Sequence, residues 1–377
     1  MSQIPQDTID RVRDTADIVD IISQYVDLKQ RGPNFFGLCP FHNEKTPSFS
    51  VAPQKQIYYC FGCQSGGNVF SFLMDYLKLP FPDAVKDIAG RYNLNIVFES
   101  TDENSDFFSS LYKLHAMSTE LYQKNLFSKV GEDALNYLKE RGLNEDTIKQ
   151  FKIGFASADW DKLVSYFKGK GFKQSQILES GLFTHSDKGI FDRFRSRIMF
   201  PIFHPSGKPI GFGGRIFGVD DSAKYLNSPE TPLYKKSSTF YGLQATRDSI
   251  RKEGKVILVE GYMDFLKLYQ SNIYNVISVS GTAFSPKHSI ALNKIAKEVI
   301  LLYDGDKAGG NAAIRTGWVL LQSGLIPSVV QPPDGLDPDD WINRRGIEEV
   351  ILSIKSPMDY IDFHIKFNDG IKITGAD

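Results

Sequence analysis

Val256-Ile257-Leu258-Val259-Glu260-Gly261-Tyr262-Met263-Asp264 runs four branched aliphatic residues into an acid, a glycine and the start of an amphipathic stretch. A run that is apolar at every position suits a strand covered on both faces. Val299-Ile-Leu-Leu-Tyr303 repeats the design and ends in Asp304-Gly305-Asp306. A third run, Pro327–Gln331, leads into Pro-Pro-Asp334-Gly-Leu-Asp337-Pro-Asp339-Asp340. Val276–Val279 reads as a further strand. Tyr262–Gln270 and Lys307–Ser323 read as helices, and Ser285-Pro286 opens another as N-cap and first-turn proline. Strands alternating with helices imply a parallel α/β sheet. Acids at the carboxyl ends of its strands lie on the edge where such sheets bind ligands.

Grouped carboxylates repel one another unless cations neutralise them. Hard oxygen ligands select Mg²⁺ or Mn²⁺, and two such ions can align the attacking and leaving oxygens of phosphoryl or nucleotidyl transfer. Glu260, Asp304 and Asp306, each directly following a buried-type strand, are therefore the expected catalytic and metal-site acids. Asp264, Asp334 and Asp340 taken singly read equally well as solvated turns or helix caps. Gly261 and Gly305 are expected to let backbone approach phosphate.

The chain has three cysteines, and all fall into one pattern: Cys39-Pro-Phe-His42, seventeen residues, Cys60-Phe-Gly-Cys63. Two short knuckles flanking a hairpin-length spacer suit one tetrahedral, structural Zn²⁺. The alternative is three buried thiols and an unrelated histidine. Phe35, Phe36, Phe49, Tyr58, Tyr59 and Phe61 beside Arg31, Lys45 and Lys55 suit single-stranded DNA, or a small ribbon burying its own aromatics. The remaining histidines, His115, His185, His204, His288 and His364, lack ligand-spaced partners and read as structural or exposed.

Net charge is −1 over 377 residues, so charge distribution matters more than its sum. Phe191 to Lys252 holds eleven Lys/Arg against five Asp/Glu. Within it, Arg193, Arg195 and Arg197 alternate and would share one face of a strand, suiting a phosphate track; a solvated face or pairing with acids is the alternative. No run approaches the roughly 18 apolar residues of a membrane helix. Met1 to Ile22 carries five Asp and no continuous apolar core, so a cytoplasmic location is expected. A helix is expected over residues 4–27, strands over 34–63, and helices over 67–78 and 82–91. The predicted divisions are a zinc-binding ribbon (1–98), an acidic linker (99–106), a helical then mixed α+β basic region (107–252), the acid-bearing α/β sheet (253–335) and a helical tail (336–377).

Arg-Phe-Arg-Ser-Arg-Ile-Met-Phe-Pro-Ile, Gly-Phe-Gly-Gly-Arg, Lys-Tyr-Leu-Asn-Ser-Pro-Glu-Thr, Val-Glu-Gly-Tyr-Met-Asp and Tyr-Asp-Gly-Asp-Lys-Ala-Gly, with the knuckles, resemble the DnaG family of bacterial primases across nearly the whole chain. The acid-bearing sheet then resembles a Toprim fold. The resemblance implies a DNA primase: a nucleotidyltransferase that makes short RNA primers on a single-stranded DNA template from ribonucleoside triphosphates. It implies that Asp264, Asp337 and Asp339 support the metal site. It further implies that Arg141, Arg195, Arg215, Lys224, Asn227 and Lys236 contact nucleotides or nucleic acid. Family members usually carry a C-terminal domain that docks on the replicative helicase, and this chain is expected to lack it. A Toprim nuclease or topoisomerase is the main rival. A helicase motor is disfavoured by the lack of a Gly-x₄-Gly-Lys-[Ser/Thr] loop, and a non-catalytic zinc module by the intact acid set.

Overall fold

Asp17 divides what the sequence suggests is one N-terminal helix. Its carboxylate accepts hydrogen bonds from the N–H groups of Val19 (2.7 Å) and Asp20 (3.2 Å). It thereby ends α1 (Gln6–Thr15) and caps α2 (Ile18–Ser23). The apolar spacing survives the break, since Ile4, Val12, Ile18, Ile22 and Val26 are all buried. The computed structural model describes residues 4, 6–92, 94, 103–218 and 223–368, in two compact units of residues 1–106 and 107–377.

In the first unit, β1 (Lys29–Arg31), β2 (Asn34–Gly37), β3 (Phe49–Ala52), β4 (Ile57–Cys60) and β5 (Gly66–Gly67) form an antiparallel sheet in sequential order. Helices α3 (Val69–Leu77) and α4 (Phe81–Arg91) complete the unit. Phe49, Tyr58 and Phe72 are buried against one another, so the ribbon does bury some of its aromatics. Tyr59 and Phe61 face solvent. Of the expected linker, residues 99–102 lie outside the described residues. Residues 103–106 are already helical, because α5 spans Glu103–Leu126.

In the second unit, α5 is followed by α6 (Glu132–Glu140), α7 (Glu145–Gln150), β6 (Gly154–Ala156), α8 (Lys162–Gly169) and α9 (Gln174–Glu179). The hairpin β7 (Phe183–Ser186) and β8 (Gly189–Asp192) leads into β9 (Arg197–Phe203), β10 (Pro209–Ile216) and β11 (Tyr225–Asn227). β11, β10, β9 and β6 make an antiparallel sheet in that order. After α10 (Leu243–Glu253) come β12 (Lys255–Val259), α11 (Tyr262–Gln270), β13 (Val276–Ser278), α12 (Pro286–Leu292), β14 (Glu298–Leu301), α13 (Lys307–Gln322) and β15 (Ile326–Val329). The tail holds α14 (Pro338–Arg345), α15 (Ile347–Lys355) and α16 (Tyr360–Asn368). It also returns a short strand, β16 (Met358–Asp359), antiparallel to the edge strand β15.

The last sheet runs β13-β12-β14-β15-β16 and is parallel except at β16. Ile257, Val259 and Ile300 pack into one apolar cluster. Val256, Leu258, Val299 and Leu301 pack into another. Alternate residues of each strand thus bury on opposite faces, which is why these strands are apolar at every position.

The alternating arginines do not share a strand face. β8 ends at Asp192 and β9 begins at Arg197, with Ser196 turned to φ +49° between them. Asp192, pushed up to about 6 by burial, anchors this turn by accepting the N–H groups of Leu163 (2.8 Å) and Val164 (2.9 Å) at the start of α8. Arg197 consequently parts from Arg193 and Arg195: it is buried, while the other two line one cleft.

Candidate active site and zinc centre

The zinc ligands come from the turns at two strand ends. Cys39 and His42 follow β2, while Cys60 and Cys63 bracket the end of β4. One ligand atom from each lies within 4.8 Å of the others. The Cys39–Cys63 Sγ separation is 3.7 Å and Cys60 Sγ lies 3.8 Å from His42 Nδ1. A tetrahedron with Zn–S bonds of about 2.3 Å has edges of about 3.8 Å, so the four groups fit one Zn²⁺. Burial pushes Cys39 up to about 12. Against the same upward push of burial, the Ser48 hydroxyl and the Cys63 N–H draw Cys60 down to about 7. Sequence reading missed Glu44. Its Oε2 lies 3.3 Å from His42 Nε2, and its Oε1 accepts the N–H groups of Cys39 (2.7 Å) and Ser48 (3.1 Å). A carboxylate behind the distal ring nitrogen turns Nδ1 toward the sulfurs. Its position two residues past His42 is the signal that would have found it.

In the second unit the strand ends bring acids together. Glu260 directly follows β12, and Asp304 follows the extension of β14. Asp306 caps α13 through Gly309 N–H (2.8 Å), and Asp337 caps α14 through Asp340 N–H (2.6 Å). Asp264, in the first turn of α11, accepts the N–H groups of Gly261 (2.9 Å) and Asp339 (3.2 Å). Burial, with Asp304 and Asp306 nearby, pushes Glu260 up to about 7. Burial, with Asp337 and Asp306, pushes Asp304 up to about 6. Asp264 is raised well above the carboxylate range by burial, then by Asp337, Asp304 and Asp339. Glu260 Oε1 is buried and has no hydrogen-bond partner among the described residues. Among the described residues, one trio of carboxylates, Asp337, Asp339 and Asp340, has oxygens within 4.8 Å of one another.

Gly261 and Gly305 serve the turns themselves. A Cβ on Gly261 would fall 2.7 Å from Asp264 Oδ2, and one on Gly305 would fall 2.5 Å from the Pro332 carbonyl oxygen. The side chain of Asp334 lies outside the described residues.

Cations face these acids. Arg141, Arg215 and Lys224 line one cleft of about 200 Å³ with Glu260, Asp264, Asp304, Asp337 and Asp339. Arg141 follows α6 and pairs with buried Asp339. Arg215, on β10, lies over the rings of Tyr137 (5.2 Å) and Tyr225 (5.6 Å) and donates to Tyr225 Oη at 3.2 Å. The other predicted contacts lie elsewhere. Arg193 and Arg195 line a separate, more open cleft with Trp160, Lys188 and Phe191. Arg195 stacks on exposed Trp160 at 4.1 Å, a residue that sequence reading missed. Arg197 is buried and donates to the Gly214 and Ala223 carbonyls (3.0 Å each), so it pins the strand. Asn227 is also engaged internally: it accepts from Tyr262 Oη (2.8 Å) and donates to the Ser280 carbonyl (2.8 Å). Lys236 is half-buried, its N–H bound to Glu230 at 2.8 Å, and neighbouring Lys235 faces Glu230 at 3.9 Å.

Gly213 on β10 abuts Tyr262, the first residue of α11. A Cβ there would fall 2.3 Å from the ring. Tyr262 stacks on Phe200 of β9 at 4.9 Å, joining the antiparallel sheet to the helix that follows Glu260.

Residues 4–104 match the CHC2 zinc finger, residues 121–247 the N-terminal domain of the DNA primase catalytic core, and residues 254–331 the Toprim domain. A DNA primase of Clostridium acetobutylicum is 40% identical over 368 residues, covering 96% of this chain and 61% of the relative. The chain thus spans about three fifths of the length of the curated relatives it matches. The structure of the zinc-binding and RNA polymerase domains of Aquifex aeolicus primase superposes with a TM-score of 0.65 at 34% identity, covering 97% of this chain and 89% of that one. A DnaG primase catalytic domain bound to single-stranded DNA superposes with a TM-score of 0.64 at 34% identity, covering 70% of this chain and 84% of that one. Among the described residues no helix is long and apolar enough to cross a membrane. Three domain types matched in order, together with that likeness to nearly all of the Aquifex aeolicus structure, place the chain in the DnaG primase family.

Proposed function

We propose that this chain condenses ribonucleoside triphosphates into short RNA primers on single-stranded DNA. The observation that carries this reading is the cleft in which Arg141, Arg215 and Lys224 face Glu260, Asp264, Asp304, Asp337 and Asp339. Cations suit a triphosphate and acids suit divalent metal. Glu260, Asp304 and Asp306, with Asp337, would hold Mg²⁺ or Mn²⁺, and Asp264 and Asp339 would support them. The fit rests on the unpartnered Glu260 oxygen and on the burial, joined by repulsion from neighbouring acids, that raises Glu260 and Asp304. When bound, such ions supply charge neutralisation at the reacting phosphate.

The chain's own groups do the rest. The guanidinium of Arg215, braced between two tyrosines, and that of Arg141, held by Asp339, present fixed forks to phosphate oxygens. A 3′-hydroxyl attacks the α-phosphorus, the bond to the β-phosphate breaks and pyrophosphate departs. Glu260 is the carboxylate we assign to receive the hydroxyl proton. Trp160 with Arg193 and Arg195 would carry template, bases stacking on the indole and phosphates meeting the guanidiniums. Lys236 would extend that path, with Arg197 and Asn227 supporting it from behind. Exposed Tyr59 and Phe61 would give the zinc ribbon its own template contact. On this reading residues 1–98 bind zinc and template, 107–252 supply the basic surface, 253–335 supply the acids, and the tail from 336 braces them.

The test is primer synthesis on single-stranded DNA with four ribonucleotides and Mg²⁺. The wild-type chain should yield short RNA. Asp304→Ala should lower synthesis on the order of 10³-fold while circular dichroism stays unchanged. Near-normal synthesis by that variant overturns the assigned site. Cleavage of the DNA without RNA synthesis would favour a Toprim nuclease instead.

A further inference from the structure

Lys267 is a buried lysine, 5% exposed, in a helix whose neighbouring side chains are apolar. It lies one turn beyond Asp264 on α11, outside the cleft. Burial lowers it from the ordinary lysine range, with Asp339 opposing that fall. Its Nζ donates to Asn343 Oδ1 at 2.7 Å and reaches the carbonyls of Arg141 and Gly142 at 3.4 Å each. An ammonium has donors only, so it fixes which way the Asn343 amide faces. Oδ1 turns to Lys267, and Nδ2 is left to donate to Asp339 Oδ1 at 3.0 Å. The other oxygen of Asp339 receives Arg141. Lys267 therefore holds Arg141 twice, through the carbonyl of its own peptide and through the acid that grips its guanidinium.

We infer that Lys267, acting through Asn343 and Asp339, is a positioning residue that sets where the Arg141 guanidinium meets the triphosphate. The inference rests on the nucleotide role proposed above for Arg141. Without the ammonium Asn343 Oδ1 loses its donor, and the amide is held at one end only, through Nδ2 to Asp339. Gly142 is shaped to this contact: its φ is +78°, and a Cβ there would fall 2.5 Å from Lys267 Nζ.

The experiment measures KM and kcat for ribonucleoside triphosphate with the full chain on single-stranded DNA. Lys267→Met keeps the apolar stem and should raise KM about tenfold, the weight of a hydrogen bond to a charged group, with kcat changed less than about twofold. Asn343→Ala alters an exposed residue, and it should show the same split with circular dichroism unchanged. Neither change should add to Arg141→Ala, because coupled residues are not additive. If Lys267→Met does not fold, Asn343→Ala decides alone. Unchanged KM in Asn343→Ala, or full additivity with Arg141→Ala, overturns the inference while leaving the Arg141 assignment standing. Unchanged KM in Arg141→Ala removes both.

Discussion

The two candidate metal centres are built on opposite plans. At the zinc site four ligand atoms lie within 4.8 Å of one another, and the N–H groups that Cys39 and Cys60 accept belong to the knuckles themselves. At the carboxylate site the acids come from separate strand ends, and three of the six already hold backbone: Asp306 and Asp337 cap helices, and Asp264 accepts two N–H groups. Of these acids, Glu260 alone has a buried oxygen without a hydrogen-bond partner among the described residues. A closed set serves stability, whereas a set of acids that repel one another and open on a cationic cleft serves chemistry.

The sharpest attack on this contrast is Cys60→Ser. A structural zinc contributes about 10 kcal/mol of apparent folding free energy. Bound zinc should fall from one per chain toward none, and the first unit should lose its thermal transition while that of the second unit stays in place. Retained zinc, or equal loss in both units, would break the comparison.

A smaller effect belongs to two buried imidazoles of the second unit. His115 and His288 are fully buried and lowered by that burial to about 4. The unfolded chain takes up their protons near 6.5, and the folded chain only near 4. Stability is thus fully present above pH 6.5 and drains as pH falls toward 4, by about 3 kcal/mol for His115. His115→Phe preserves the stacking on Phe212 and should flatten the acid limb of the second unit's denaturant midpoint. An unchanged limb would refute this.

The mildest expected change is Glu44→Gln, which keeps the size of the group behind His42 and removes its charge. Zinc affinity should fall about tenfold in a chelator competition, with the fold retained. No change would mean that His42 is oriented without Glu44.

The acid-bearing sheet was legible because burial on both faces leaves a plain mark: four aliphatic residues in succession, then an acid. The knuckles were legible because a ligand set needs fixed spacing. The arginine turn was not. Alternation of Arg193, Arg195 and Arg197 imitates a strand, and nothing local announces that Ser196 adopts a positive φ. The tie between Arg141 and Asp339 spans 198 positions, and that between Lys267 and Asn343 spans 76, so neither leaves a spacing to read. A charged residue in the apolar stretch Phe265-Leu-Lys-Leu268 was the one available hint.

The slot between Gly213 and Tyr262 has a geometric consequence for the second unit. It acts as a gauge block of zero thickness: the strand carrying Arg215 can approach the helix after Glu260 only because position 213 has no side chain. The width of the gap between opposite charges is thereby set by a residue that does not line it.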